Sequence, residues 1–386
     1  MNESMKLWAE QHITTCLLPF WNSLKDREYG GFYGLVDDNL RVFKRTEKGM
    51  IENSRILWFF SQANLHFHDQ LSLADARHAF AFMTGCGIDR QEGGIVWSVS
   101  FDGQLLDGTK SAFNLSFAIT GLCSYYQASH DEKAKVLALQ LEAILLAYFK
   151  DGNKGYKETL NRFFAENSAT LLKMQKSAHS GQKSLQTQLH VLEAFDSLQK
   201  IAPTPKRKQE MEELCSLFSS MQDADGRFAI FFDEELHVIN DYRSYGHDIE
   251  TAWLLASLSE ELTPSVHQEM ERLSDKAITN CFKEAYQMHS LIDDASFPHL
   301  RPHWPQAEAV VAFLQMAERH PSEPQYLEVA KDIWSFITTY LVDNRPQSEW
   351  IYAVTDQGNP VKGQPIVWPW KGPYNNARMC FFMLDH

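Results

Sequence analysis

His247 and Glu250 stand three residues apart in Tyr245-Gly246-His247-Asp248-Ile249-Glu250, and the apolar run Thr251-Ala252-Trp253-Leu254-Leu255-Ala256 follows directly. Gly246 can break a loop, and the run behind it reads as a helix. Both side chains then fall in its first turn and on one face. A carboxylate beside an imidazole raises the imidazole's basicity and fixes its tautomer, which suits a general base. An isolated His-x-x-Glu is more often the solvated start of a capped helix. This one gains weight because polar residues opening apolar helices recur along the chain.

Arg55 sits in Asn53-Ser54-Arg55-Ile56-Leu57-Trp58-Phe59-Phe60. A buried guanidinium is costly unless it meets a carboxylate or a ligand oxygen. His190, in Leu189-His190-Val191-Leu192-Glu193, is either a base or a core histidine held by a backbone carbonyl. Glu308 lies one turn into a helix beside Trp304, and its structural alternative is an ion pair with an inner arginine. The stretch Val367-Trp368-Pro369-Trp370-Lys371-Gly372-Pro373-Tyr374-Asn375-Asn376-Ala377-Arg378 is rich in aromatic faces. Indole rings pack on the C–H faces of sugars while amides, carboxylates and arginines bind hydroxyls, so it reads as a carbohydrate site or as a loop sealing the fold. His247 and Glu250 make at most half a metal site, and no His-Glu-x-x-His, glycine-rich phosphate loop or Gly-x-Ser-x-Gly elbow is present, so neither a metal nor a cofactor is expected.

The elements that position these residues alternate. Almost wholly apolar helices begin near Arg55, Asn114, His190, His247, Gln306 and Asn375. Between them lie a first helix over about Glu3–Leu24 and amphipathic helices near 71–85, 132–149, 206–222, 265–285 and 324–342. Glycine-punctuated ribbons such as Tyr29-Gly30-Gly31-Phe32-Tyr33-Gly34 and Glu92-Gly93-Gly94-Ile95-Val96-Trp97 precede the apolar helices. Helices apolar all round belong inside and amphipathic ones outside. A repeat of roughly 60 residues therefore predicts an all-α (α/α)6 barrel, a toroid of six helical hairpins with short β-ribbons at one mouth, spanning residues 1–386 as one domain. Inner-helix starts converge at one mouth of such a barrel, with their dipoles pointing at whatever binds there. That pocket gathers Arg55, His190, His247, Glu250, Glu308 and Asn375.

Composition narrows the partners. The net charge of −14 argues against nucleic acid and anionic membranes, both of which need a basic surface. No stretch approaches a membrane span, and Met1-Asn2-Glu3-Ser4-Met5-Lys6 lacks the basic-then-apolar order of a signal peptide. The 6 cysteines are scattered singly, as expected for buried thiols of a cytoplasmic protein. A monomer or a homodimer is expected.

Several stretches together resemble the N-acylglucosamine 2-epimerase superfamily, most closely its cellobiose 2-epimerase branch. They are Phe20-Trp21-Asn22, Glu28-Tyr29-Gly30-Gly31-Phe32-Tyr33-Gly34, Asn53-Ser54-Arg55-Ile56-Leu57-Trp58, Leu189-His190-Val191-Leu192-Glu193-Ala194-Phe195, Tyr245-Gly246-His247-Asp248-Ile249-Glu250, Trp304-Pro305-Gln306-Ala307-Glu308 and Trp370-Lys371-Gly372-Pro373-Tyr374. The resemblance implies the same barrel. It also implies a reducing sugar opened to its aldehyde, loss of the C2 proton to a histidine, and an enediolate. By that resemblance His247 is a catalytic histidine with Glu250 as its partner, Arg55 and His190 hold the O1/O2 end, and Trp304 and Trp370 are aromatic walls. The family's last helix usually opens Pro-Tyr-His-Asn-Gly-Arg, whereas this chain reads Pro373-Tyr374-Asn375-Asn376-Ala377-Arg378. Further departures are Gln188 and Phe113, which replace a family histidine and tyrosine, and His303, which stands where a tryptophan is common.

An amide does not titrate near neutrality, so Asn375 weakens inversion at C2, which needs proton transfer on two faces, more than aldose–ketose isomerisation, which one base can perform. The expected function is a cofactor-independent sugar 2-epimerase or isomerase acting on a cellobiose, mannobiose, mannose or glucose type of substrate. The rivals are a sugar-binding homologue that has lost catalysis, and a glycoside hydrolase or lyase using Glu250 and Glu308.

Overall fold

The computed structural model describes residues 3–166, 182–258, 262–288, 290 and 299–386. Twelve helical rods among the described residues pair as inner and outer members. The inner ones are α2 (Met50–Phe67), α4 (Ala112–Ser129), α6 (Leu185–Ile201), α8 (Tyr245–Ala256), α10 (His303–Arg319) and α12 (Asn375–Asp385). The outer ones are α1 (Glu3–His12, continued by Leu18–Ser23), α3 (Gln70–Phe82), α5 (Glu132–Ile144), α7 (Pro205–Met221), α9 (Pro264–Met288) and α11 (Gln325–Phe336). Each inner helix packs on the next around the ring, α12 packs on α2, and α1 packs on α12. This is the (α/α)6 barrel expected from the alternation of apolar and amphipathic helices.

The inner helices bury nearly every position because both of their sides meet helices. Where α2 and α4 approach most closely, Gly121 is required: a Cβ there would lie 2.7 Å from the Ser54 carbonyl oxygen. At the far end of the barrel the hairpins are tight. His68 and His130 take left-handed conformations, and Asp69 and Asp131 then cap the following outer helices.

The first outer rod differs from the uninterrupted helix expected over Glu3–Leu24. It carries a π-turn at Ile13–Leu17, just ahead of Pro19, whose nitrogen cannot bond to the carbonyl four residues back. Three other outer helices also end in π-turns, at Met83–Gly87, Leu145–Phe149 and Ile337–Leu341.

At the mouth, two-residue leads enter five inner helices directly, Lys48-Gly49, Lys110-Ser111, Lys183-Ser184, Arg243-Ser244 and Arg301-Pro302, and Lys371-Gly372 precedes α12 with Pro373-Tyr374 between. Four of the leads form antiparallel ribbons with the loop that precedes the next inner helix. The bridge Val36↔Val367 joins the first loop to the last. The leading cation folds back onto a carboxylate in turn after turn. Lys48 meets Asp26 at 2.6 Å, Lys110 meets Asp89 at 3.2 Å, Lys183 meets Asp151 at 2.6 Å and Lys371 meets Glu349 at 2.5 Å. Arg301 pairs with Asp356, and Arg243 lies 3.7 Å from Asp223. Ser111, Ser184 and Ser244 then cap their helices through backbone N–H groups three residues on.

Candidate active site

Because the capping leads start the inner helices earlier than the polar residues alone indicated, Arg55 and His190 are the sixth residues of α2 and α6. They therefore lie about one turn deeper than His247 and Asn375, which stand in the first turns of α8 and α12. All four line one cavity of about 440 Å³ at the mouth, together with Glu250, Trp304 and Trp370. Of the expected site residues only Glu308 does not line it. It is 0% exposed and lies behind Asn375, whose Nδ2 donates to Glu308 Oε1 at 2.7 Å.

His247 is shaped by its neighbours. Its ring lies 5.0 Å from that of Trp304, tilted by 41°. Gly246 makes room for this arrangement, since a Cβ there would sit 2.5 Å from the Trp304 ring. Glu250 was expected to serve His247 one turn earlier. The structure directs Glu250 Oε1 across the barrel, 2.9 Å from Arg378 Nη2 and 4.0 Å from His190 Nε2. A guanidinium is a stronger, permanently charged partner than an imidazole, and α12 delivers one to this depth.

The spacing of three instead produces its hydrogen bond at His190 and Glu193, with Nδ1 donating to Oε2 at 2.8 Å. That bond leaves His190 Nε2 directed toward Glu250. Glu193 Oε1 also accepts from the Tyr374 hydroxyl at 2.7 Å. Burial pushes the Glu193 carboxyl up, but the His190 hydrogen bond, the charges of His190 and Arg378 and the Tyr374 donor outweigh it and hold the group at about 2.

Arg378 gathers this floor. Besides Glu250 it contacts Glu308 at 2.7 Å, Glu193 at 3.4 Å and the Tyr374 hydroxyl at 3.0 Å. Trp253 Nε1 donates to the same Glu308 oxygen at 2.7 Å. Burial raises the Glu308 carboxyl, the Arg378 charge opposes that, and Glu250 reinforces it. The ion pair of Glu308 with an inner arginine, its structural alternative, is what the structure contains. Since Glu250 and Glu308 converge on one guanidinium nitrogen, they do not flank a space for a scissile glycosidic bond.

Arg55 is different. Its Nη1 donates to the Trp370 carbonyl at 2.9 Å, and its guanidinium carbon lies 4.3 Å from the Phe117 ring centre and 5.3 Å from that of Tyr374. No carboxylate among the described residues forms an ion pair with it, and its buried Nε has no hydrogen-bond partner there. Burial pushes the neighbouring Glu52 up to about 8 against the charges of Arg55 and Lys48, so the nearest carboxyl on the same helix is the one that burial most opposes charging. Burial also lowers Arg55 itself to about 10, which keeps it cationic at neutral pH.

The walls are aromatic. Trp370, 38% exposed, leans on Trp97 at 5.4 Å, and Phe113 meets the edge of His190 at 5.0 Å. His303 also lines the cavity, with Nδ1 3.1 Å from the Tyr352 carbonyl, and burial with the charges of Lys371 and Arg55 keeps its ring neutral. Gln188, by contrast, is buried and bonds both backbone groups of Tyr156 at 2.8 Å. Sequence reasoning missed Glu193, Glu158 and Arg378. Only Glu193 carried a local signal, the same spacing of three that drew attention to Glu250. Among the described residues no group of three or more His, Cys, Asp or Glu is placed to hold a metal, and no helix is long and apolar enough to cross a membrane.

A barrel whose inner-helix starts hold histidines, an arginine and indole walls around one cavity defines a carbohydrate-active class. The family model for N-acylglucosamine 2-epimerase matches residues 30–371. The cellobiose 2-epimerase of Eubacterium cellulosolvens is 35% identical over 97% of this chain and 96% of its own. That of Ruminococcus albus is 34% identical over 96% of both chains. The crystal structure of a sugar epimerase from a ruminal bacterium superposes with a TM-score of 0.92 at 32% identity, covering 99% of this chain and 98% of that one. The chain belongs to the N-acylglucosamine 2-epimerase family, and is an enzyme of the carbohydrate epimerase and isomerase class.

Proposed function

We propose that the protein rearranges a reducing sugar or a β-linked disaccharide at C2, as a 2-epimerase or aldose–ketose isomerase working through an enediolate. The observation that carries this reading is Arg55, a buried cation lining the sugar-sized cavity, on which Glu250 and Glu193 act at a distance while no carboxylate among the described residues pairs with it directly. An enediolate oxygen is such a partner, and it exists only after the C2 proton has left. His247 is the principal acid/base. Arg55 and His190 stabilise the O1/O2 end, Glu250 contributes negative charge to the imidazoles, and Trp304 and Trp370 carry the sugar faces. Incubating the enzyme with cellobiose, mannobiose, mannose and glucose in D2O and following C2–H by NMR tests this. Loss of the C2–H signal with at least one sugar is expected, and no exchange with any of them rejects the reading.

A second reading, a sugar-binding homologue without catalysis, is favoured by one observation. The amide nitrogen of Asn375 is engaged by Glu308, so the amide is an oriented hydrogen-bonding group that holds no exchangeable catalytic proton near neutrality. Asn375→His is expected to raise the rate of C2 inversion at least about 10-fold, within the range for a positioned proton donor. The measurements are saturable sugar binding by the wild type and the ratio of epimer to ketose formed by each protein; binding with neither product from the wild type is what the second reading expects. An unchanged ratio would show that Asn375 is not where the second proton is handled.

A further inference from the structure

Removal of the C2 proton requires an open-chain aldehyde, whereas free sugars are overwhelmingly cyclic, so the site must also open a ring. Opening takes two simultaneous proton transfers, one from the C1 hydroxyl and one to the ring oxygen. The wall formed by α6 carries groups for both. Ser184, the N-cap of α6, is followed at intervals of three by Thr187, His190 and Glu193, each neighbouring pair adjacent on the helix surface and the series running from the mouth inward. Glu158, from the loop before Thr159–Leu160, is anchored on the outer two: its Oε1 accepts from Ser184 N at 2.6 Å and its Oε2 from Thr187 Oγ1 at 2.7 Å. Both Glu158 and His190 line the cavity, and Thr187, which holds Glu158, stands three residues before His190 on α6.

We propose that Glu158 and His190 are the acid and base that open and close the sugar ring, an inference that rests on the C2 chemistry proposed above. The Glu158 carboxyl gives its proton to the ring oxygen while His190 Nε2 takes the proton of the C1 hydroxyl. The bond between C1 and the ring oxygen breaks with its electron pair staying on oxygen, and C1=O forms. Glu158 is left as the carboxylate and His190 as the imidazolium, whose charge Glu193 supports through Nδ1; the reverse transfers close the ring. The imidazolium left beside O1 then serves the enediolate that follows.

Two further observations fit this assignment. Among the described residues Glu158 has no ion-pair partner, so no cation locks it in its charged form. Burial pushes its carboxyl up to about 7 against the two hydrogen bonds from Thr187 and Ser184, so both protonation states are populated at neutral pH, as an acid that becomes a base requires.

The test is mutarotation of freshly dissolved α-D-glucose, followed by polarimetry, alongside C2–H loss in D2O from the equilibrated sugar. The wild-type enzyme is expected to accelerate mutarotation. Glu158→Gln, which preserves size and hydrogen-bonding capacity, is expected to lose about 100-fold of that acceleration. Glu158→Asp is expected to recover part of it, and unfolding midpoints confirm that the compared proteins are folded. Acceleration by folded Glu158→Gln equal to the wild type, or none by the wild type, overturns the proposal. A wild type that speeds mutarotation but exchanges no C2–H sinks the C2 chemistry while leaving the ring-opening pair standing.

Discussion

His247→Gln is expected to abolish C2–H exchange, with a loss of about 10²–10⁴-fold, the range of a general base. Glutamine retains an amide of similar reach but cannot take a proton near neutrality. The helix start is insulated from the change, because Ser244 caps it through the backbone N–H of residue 247 and the side chain plays no part. The aromatic and cationic contacts of Trp304, Trp370 and Arg55 remain available to a sugar. Binding followed by calorimetry should therefore fall only modestly while exchange followed by NMR disappears. Exchange within a few-fold of wild type would place the base elsewhere in the cavity.

Arg378→Met should have the largest effect on stability. One buried guanidinium is shared by Glu193, Glu250 and Glu308, and removing it leaves buried carboxylates without their cation. Breaking a buried ion pair from one side costs about 3–5 kcal/mol. Unfolding entropy grows with length, so for a chain of 386 residues each kcal/mol shifts the unfolding midpoint by only about 1 °C, and a fall of roughly 4–6 °C is expected in a thermal melt. The pH dependence has a definite sign. Glu193 is held down to about 2 in the native protein, so its stabilisation is present above the ordinary carboxylate range and is lost as pH falls toward that value. Without Arg378 the buried carboxyls are pushed upward, so the variant's deficit should shrink as pH is lowered and they become neutral. A deficit that is constant from pH 7 to pH 5, or absent, contradicts this account of the floor.

The barrel was legible because burial leaves a local trace. A helix surrounded by helices must be apolar on every side, and stretches such as Ala309-Val310-Val311-Ala312-Phe313-Leu314 show that without reference to anything distant. Arg55, His190, His247 and Asn375 stood out as polar residues in such stretches, and ring closure brings them to one cavity. The partner of Glu250 was not legible, and that of Glu308 only as an unspecified inner arginine, because Arg378 lies 128 residues beyond Glu250 and only the depth of α12 decides which carboxylates it reaches. Glu158 was hidden for a related reason. Its loop shows no periodicity, and its importance comes from the helix start it is anchored on. The basic residue followed by Ser, Gly or Pro before each inner helix was present in the sequence and is the clearest missed signal. For five of the six it ends directly before the helix, while α12 begins at Asn375 with Pro373-Tyr374 between; this is why Arg55 and His190 lie deeper than expected and Asn375 does not.

Each lead at the mouth is fastened by its own cation to a carboxylate, which for Lys48, Lys110, Lys183, Arg243 and Lys371 lies upstream of the lead in the same loop region and for Arg301 lies just past its paired strand. Four leads are also hydrogen-bonded to the loop that precedes the next inner helix, and Val36↔Val367 joins the first loop to the last, so the rim is a chain of individually moored segments linked edge to edge. Exchanging one segment between relatives should therefore disturb its ribbon partner next along the rim as well, so such exchanges are best made in adjacent pairs.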